Sequence, residues 1–306
     1  MIIHQPDGIK YYYSDEILSY FKNLLIKPFE QHIITKAWQK EVLDSYNNKD
    51  FKTIREIVGG GQADFEEPFR GLTPEERVLV YCYNGNMQQH TVSQLYIFEK
   101  HANIFDKYFF EPERRVIFID FGCGPLSSGI ALAMYYAQVQ KSNSQKFFLN
   151  YIGMDKAESM LLKAKEFSRY PNLFPQETTF YFINTYKEAS IFKYRLYQCL
   201  DSYISKNALI ILNFSYLFAS ESLDIDKLIR LIQEILSTYE SQQVCLIFQN
   251  PPGTDLNIKW NKFQSQIKEL KTVIKGPISE KFNFYCIQSK RKRNTQLYYD
   301  IKFRTN

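Results

Sequence analysis

Few residues in this chain suit the bonds that staple small secreted domains or hold structural metals. Its 306 residues include 5 cysteines and 4 histidines. The cysteines (Cys82, Cys123, Cys199, Cys245 and Cys286) are widely spaced, and no two form a Cys-x-x-Cys pair. That spacing offers neither a disulfide framework nor a zinc cluster. Several lie inside apolar runs, where thiols behave as small buried hydrophobes, so reduced thiols in a cytoplasmic protein are expected. No uninterrupted apolar segment approaches the roughly 20 residues needed to span a bilayer. The opening Met1-Ile2-Ile3-His4-Gln5-Pro6-Asp7 lacks the basic and apolar regions of a secretory signal. Nor is there an internal repeat, a low-complexity run or a chain-wide excess of one charge. The formal net charge is +5, and Lys290-Arg291-Lys292-Arg293 accounts for most of it.

What the chain does hold is apolar and aromatic residues in a repeating order. The hydrophobic share is 45% and the aromatic share 16%, almost all Tyr and Phe, which supplies a proper core and large side chains to line concave surfaces. From residue 116 onward, apolar runs alternate with helix-length amphipathic segments. Strands are expected at 116–121, 147–154, 179–183, 208–214 and 244–249. Helices are expected between and after them, at 127–140, 157–169, 192–205, 226–239 and 256–270. Two further strand-like runs, 282–289 and 296–305, are joined by a short polar turn. Strands alternating with helices of this length imply βαβ units and a parallel sheet. The region before residue 72 differs: 15–26 and 31–46 have apolar positions at helical intervals. Thr73-Pro74-Glu75-Glu76 reads as a helix start, with Thr73 as cap and Pro74 at the first helical position.

The segment Arg115-Val116-Ile117-Phe118-Ile119-Asp120-Phe121-Gly122-Cys123-Gly124-Pro125 carries the most chemistry. A run suited to a strand covered on both faces ends in an acid. It then breaks into two glycines that let the backbone turn tightly and approach a ligand. This segment resembles motif I of the class I S-adenosylmethionine-dependent methyltransferases. The terminal hairpin strengthens the resemblance, since it would insert one antiparallel strand into an otherwise parallel seven-stranded sheet, as in that superfamily. The resemblance therefore implies a Rossmann-like α/β domain over 111–306, preceded by a helical extension over 1–110 that covers the site and selects substrate. A nicotinamide dinucleotide fold fits less well. Ser127 stands where its third glycine is needed, and the next strand-end acid comes late.

The resemblance also assigns roles. Asp120, Gly122 and Gly124 match the motif I acid and its first two glycines, while Leu126 stands where a third glycine is usual, and Ser127 and Ser128 can donate there instead. Asp155, at the end of the second strand, matches the acid that accepts bonds from the ribose hydroxyls of S-adenosylmethionine. A carboxylate offers a diol two acceptor oxygens; capping the next helix is its plainer role. Asn184 falls where the superfamily often places a residue for the adenine amino group, or is an ordinary turn residue. At the end of the fourth strand, Asn213 can accept a bond from a target amine and Tyr216 can stack on a planar substrate. His90, in a helix over 86–100 just before the first strand, is a candidate base, because imidazole titrates near neutral pH. With Gln88 and Gln89 it otherwise forms a polar helix face.

Two look-alikes are set aside. Gly60-Gly61-Gln62 spells the tripeptide of translation release factors, with nothing else in support, and reads as a flexible loop. Asn250-Pro251-Pro252-Gly253 resembles the motif of amino-directed nucleic-acid methyltransferases but follows the fifth strand and lacks its aromatic, so a proline-stiffened turn is expected. The basic cluster Lys290–Arg293 would lie in the hairpin turn at the ligand rim, where it attracts phosphate or nucleic acid such as RNA; otherwise it solubilises the tip. The expected function is methyl transfer from S-adenosylmethionine to an acceptor that the sequence does not name. A non-catalytic subunit of the same fold that binds a partner or nucleic acid is the alternative. Aminopropyl transfer lacks the extra acids it needs at the fourth strand end.

Overall fold

The computed structural model describes residues 2–3, 12–13, 15–32, 65–69, 71–83, 86–111, 113–140, 147–170 and 172–304. Most of the helix expected over 31–46, the Gly60-Gly61-Gln62 loop and most of the opening segment lie outside the described residues. The helical extension begins with α1 (Asp15–Phe21), which runs through a π-helical turn (Lys22–Ile26) into α2 (Lys27–His32). Next come α3 (Pro74–Tyr83), α4 (Asn86–Lys100) and α5 (Ala102–Phe109). The start of α3 is a reciprocal capping box. Thr73 N–H donates to Glu76 Oε2 at 2.9 Å, and Glu76 N–H to Thr73 Oγ1 at 3.3 Å, satisfying two otherwise orphaned helix donors.

The sheet follows as β1 (Arg115–Phe121), α6 (Ser127–Gln140), β2 (Phe148–Asp155), α7 (Glu158–Ser168), β3 (Thr179–Asn184) and α8 (Phe192–Tyr203). It continues through β4 (Leu209–Ser215), α9 (Ile225–Thr238), β5 (Gln243–Asn250) and α10 (Ile258–Gln266) to β6 (Ile278–Cys286) and β7 (Arg291–Arg304). The strand order is β3-β2-β1-β4-β5-β7-β6, with a two-residue strand, Lys271–Thr272, beside the far end of β7. β1 to β5 are parallel neighbours, and β7 is antiparallel to both β5 and β6. This is the doubly wound, Rossmann-like sheet with one inserted antiparallel strand expected from the hairpin.

Alternate residues of each strand feed two cores, as a period of two demands. Phe118, Tyr151, Ile211 and Ile247 face one apolar layer, shared with α4, α5, α6, α7 and the described helices of the extension. Ile119, Ile152, Leu212 and Leu246 face the other, covered by α8, α9 and α10. The extension thus shares its core with the sheet. Among the described residues no helix is long and apolar enough to cross a membrane, and all five cysteines are free and buried.

One register differs from expectation. β6 begins at Ile278 and β7 at Arg291, so only Lys290 of the basic cluster lies in the turn. Arg291, Lys292 and Arg293 open β7, paired with Cys286, Tyr285 and Phe284. Because β7 meets the last residue of β5 at Tyr298, residues 291–297 run past the rim of the parallel strands. At about 3.3 Å per residue, the hairpin runs roughly 20 Å beyond that rim as a two-stranded arm, with Phe282, Phe284, Cys286 and Leu297 on its inner face buried in the core it shares with α4.

Candidate active site on the C-terminal rim of the sheet

The parallel strands end together at the side where their order reverses, between β1 and β4. In open α/β sheets that reversal opens a crevice for ligands. Gly122 and Gly124 both adopt left-handed backbone, at φ +69° and +51°. A Cβ on Gly122 would lie 3.0 Å from Leu217 Cδ1, whereas nothing lies within 4 Å of one on Gly124. The turn is tied to the next strand: the N–H groups of Gly122 and Cys123 donate to Met154 O at 2.8 and 2.9 Å. Gly124 N–H donates to Asp155 Oδ2 at 2.9 Å.

Leu126, in the place of a third glycine, also has left-handed backbone, at φ +72°, and its side chain is fully buried. Gly129, one helical turn onward, makes room for it. A Cβ there would sit 2.8 Å from Leu126 Cδ1 and 3.1 Å from the Tyr151 ring. Of the two serines that follow, Ser128 Oγ accepts a 3.0 Å bond from Asn213. The buried Ser127 Oγ has no hydrogen-bond partner among the described residues.

Asp120 lies fully buried beneath the turn. Tyr151 Oη donates to its Oδ2 at 2.5 Å and Asn213 Nδ2 to its Oδ1 at 2.6 Å. Burial lifts its carboxyl from the ordinary 3.8 to about 6, against those hydrogen bonds, which lower it. Asn213 is fully buried: its Nδ2 anchors Asp120 and Ser128, while its Oδ1 has no hydrogen-bond partner among the described residues. Asp155 is half-buried and accepts from N–H groups of the turns after β1 and β2, Gly124 through Oδ2 and Ala157 through Oδ1, each at 2.9 Å. Burial raises its pKa while those two bonds oppose the rise. Asn184 is buried and engaged: Oδ1 accepts from the N–H of Tyr186 at 3.0 Å and of Lys187 at 2.7 Å, and Nδ2 donates to Glu158 Oε2 at 3.0 Å. The extension reaches this end too, since Glu66 accepts from Glu158 N–H and Phe65 O from Ser159 Oγ at 2.6 Å.

The opposite wall is α4. His90 and Tyr216, which come from distant parts of the sequence, meet there as a stacked pair, with ring centroids 3.8 Å apart and planes 18° apart. Tyr81 Oη lies 3.3 Å from His90 Nδ1, and Tyr216 Oη lies 3.4 Å from Ser93 Oγ. Tyr216 itself has left-handed backbone at φ +60°, uncommon for a bulky residue and costly by about 1–3 kcal/mol. The arm flanks the stack. Ile287 N–H near its tip donates to Gln88 Oε1 at 3.0 Å, and Tyr96 of α4 stacks on Phe282 at 4.5 Å. The basic residues Lys290, Arg291 and Lys292 are exposed and Arg293 is half-buried. The Asn250-Pro-Pro-Gly turn stands apart as scaffold: Asn250 Nδ2 donates to Leu256 O at 2.9 Å, and Asn257 Nδ2 to Pro251 O at 3.1 Å.

Motif reading missed the partners that set these groups: Tyr151 on Asp120, Glu66 on α7, and a buried amide pair, Gln94 and Gln249, beneath Tyr216. Gln249 carried a signal, since an amide at the end of an apolar strand needs a reason. Among the described residues no group of three or more His, Cys, Asp or Glu side chains is placed to hold a metal ion.

No protein-family profile matches the sequence, and no curated protein matches it. Among solved structures, magnesium protoporphyrin IX methyltransferase from Synechocystis PCC 6803 with bound SAH is 15% identical, over 87% of this chain and 100% of that one, with a TM-score of 0.38. A putative class I S-adenosylmethionine-dependent methyltransferase from Listeria monocytogenes is 13% identical, over 95% and 80%, at 0.34. An S-adenosylmethionine-dependent methyltransferase from Methanosarcina mazei is 11% identical, over 66% and 96%, at 0.34. The strand order, with its antiparallel β7 between β5 and β6, gives this chain the Rossmann-like fold of the class I S-adenosylmethionine-dependent methyltransferases.

Proposed function

We propose that this chain transfers a methyl group from S-adenosylmethionine to an acceptor held between the strand ends and α4. The observation that carries the reading is the left-handed Gly122–Gly124 turn, which edges the crevice where the strand order reverses and is tied to Asp155 at the end of the neighbouring strand β2. The open space over Gly124 and the orphaned Ser127 Oγ are what a ligand lying along the turn requires. Gly122, Gly124 and Ser127 would hold the amino-acid side of the cofactor, and Asp155 its ribose. Asn184 fixes the loop at the end of β3. Asp120 keeps the turn in place with help from Asn213, which makes Asn213 a positioning residue. The bound sulfonium supplies an electrophilic methyl group, so the protein's task is to hold a nucleophile in line with it and keep water out. Tyr216 and His90 flank the acceptor, and His90 can take a proton from a hydroxyl nucleophile.

Calorimetric titration with S-adenosylhomocysteine tests the reading. Asp155→Asn keeps one acceptor oxygen but sets an amide against an N–H donor. Losing a charge-assisted bond costs about 1.5–3 kcal/mol, so affinity is expected to fall by about 10- to 100-fold with the fold intact by circular dichroism. No binding to folded parent protein would overturn the enzyme reading and leave the binding-subunit alternative.

The arm adds an acceptor class. Its exposed cations stand beside the stack and suit the phosphates of an RNA acceptor. Changing Lys290, Arg291 and Lys292 together to serine is expected to lower the log–log salt slope of single-stranded RNA binding by about 2, as read by fluorescence anisotropy. An unchanged slope would remove the arm from substrate binding.

A further inference from the structure

Beneath the Tyr216–His90 stack lies a layer of neutral polar groups that secondary structure does not use. Gln249 Nε2 donates to Gln94 Oε1 at 2.5 Å and to Ser215 Oγ at 2.8 Å. This leaves Gln94 Nε2 and Gln249 Oε1, a donor and an acceptor on one amide pair, without a hydrogen-bond partner among the described residues. Both side chains are fully buried, as is Ser93. An unmade bond on a buried polar group costs about 1–3 kcal/mol, and two on touching amides require an explanation. Tyr216 covers the layer: its Oη lies 3.4 Å from Ser93 Oγ, and its main-chain N–H donates to the main-chain carbonyl of Gln249 at 2.8 Å. It does so with strained backbone, and strain of that kind collects at ligand clamps and switches.

The geometry points to a closed acceptor site, in which the Tyr216–His90 stack is a removable plug and the Gln94–Gln249 pair is the recognition edge. The matching ligand is a neutral planar group bearing a donor next to an acceptor, the chemistry of a nucleobase edge. Naming the occupant an acceptor rests on the methyl-transfer reading. When the plug swings aside, Tyr216 uncovers the layer, the ligand ring stacks on Tyr216 in place of His90, and its edge satisfies the two orphaned amide atoms. Enzymes acting on bases read them in this way, by stacking and by bonds to the pairing edge. A carboxylate or phosphate is disfavoured, because Gln94, Gln249, Ser93 and Ser215 bring no positive charge and an unpaired buried anion costs several kcal/mol. The cations of the arm stay outside, for the backbone of the same molecule.

Uridine, cytidine and, as a planar anion, benzoate are the probes; adenosine is left out because the cofactor contains it. Each is titrated by NMR into the full-length protein, with and without S-adenosylhomocysteine. At 3.8 Å the Tyr216 ring shields the His90 ring protons, which an H90Q variant assigns. A nucleoside is expected to bind at about millimolar strength or better and to move the His90 signals downfield. Gln249→Met and Gln94→Met should each weaken it at least about tenfold by leaving the ligand edge unpaired. The proposal is overturned if no nucleoside binds at about 10 mM, if binding leaves His90 unmoved, or if benzoate binds as tightly. Should a Gln variant fail to fold, the other variant and the His90 signals of the parent decide. Nucleoside binding without S-adenosylhomocysteine binding would defeat the methyl-transfer reading and keep this site. The reverse pattern would defeat this site alone.

Discussion

Asp120→Asn is expected to change the pH dependence of stability more than any other single substitution at this site. Burial holds the folded carboxyl at about 6 against an ordinary 3.8. Between those values the folded state binds the proton that the unfolded state has released, so stability falls as pH rises. The contribution is fully present below about pH 4 and gone above about pH 7. A shift of about 2 units corresponds to roughly 3 kcal/mol. Asparagine has the same shape and no proton to lose: its oxygen can accept from Asn213 Nδ2 and its amide can donate to the Tyr151 oxygen, whose hydroxyl turns outward. Urea unfolding of parent and variant at pH 4, 5.5 and 7.5 would show the parent losing up to about 3 kcal/mol relative to the variant. Groups that do not interact with Asp120 cancel in that difference, and its coupling to Asp155 is a smaller contribution than burial. A difference that stays flat with pH would mean the Asp120 carboxyl ionises normally despite its burial.

Much of the fold is legible in the chain because each strand carries its own evidence. Val116–Ile119 and Leu209–Leu212 are apolar on both faces, as strands covered by helices on either side must be, and they are buried throughout. Helix starts are legible where chemistry marks them, as at Thr73 and Glu76. The arm is not, because its extent is a matter of register. Alternation identifies Leu297, Tyr299, Ile301 and Phe303 as inward residues of β7, but not that β5 stops opposite Tyr298. Nor does it place Ile278–Lys281, whose exposed polar positions read as loop, in β6.

At the site the same boundary separates residue from partner. Asp120, Gly122, Gly124 and Asp155 stand out because a strand end followed by glycine is local. Their working contacts are not: Asp155 reaches back to Gly124, Tyr151 reaches Asp120 from the neighbouring strand, and Gln94 finds Gln249 across 155 residues. His90 and Tyr216 are each plausible alone for unrelated reasons, and their stacking follows only from laying α4 over the rim. Asn213 divides its amide in a way its position alone does not reveal: the nitrogen serves Asp120 and Ser128 below, and the oxygen is left without a partner among the described residues.

Leu126 and Gly129 should prove strongly coupled, with an inverted order of substitutions at Leu126. Truncating a buried leucine to alanine costs about 2–5 kcal/mol. Here the alanine also keeps a Cβ at φ +72°, where left-handed backbone is unfavourable by about 1–2 kcal/mol. Glycine escapes that strain, so Leu126→Gly is expected to be less destabilising than Leu126→Ala, the reverse of the order in a helix or strand. Gly129→Ala drives a Cβ to 2.8 Å from Leu126 Cδ1, and overpacking of this kind costs about 1–3 kcal/mol. With Leu126 already cut to alanine, its obstructing Cγ and Cδ1 are gone and only the Tyr151 ring remains near, so most of that cost should vanish. A double-mutant cycle by urea unfolding should therefore give a coupling of about 1–2 kcal/mol. Additive costs would mean that Gly129 serves some other neighbour, with the Tyr151 ring at 3.1 Å next in line. A coupled pair would show instead how the turn dispenses with a third glycine: the side chain that replaces it is buried in space that a glycine on the following helical turn leaves open.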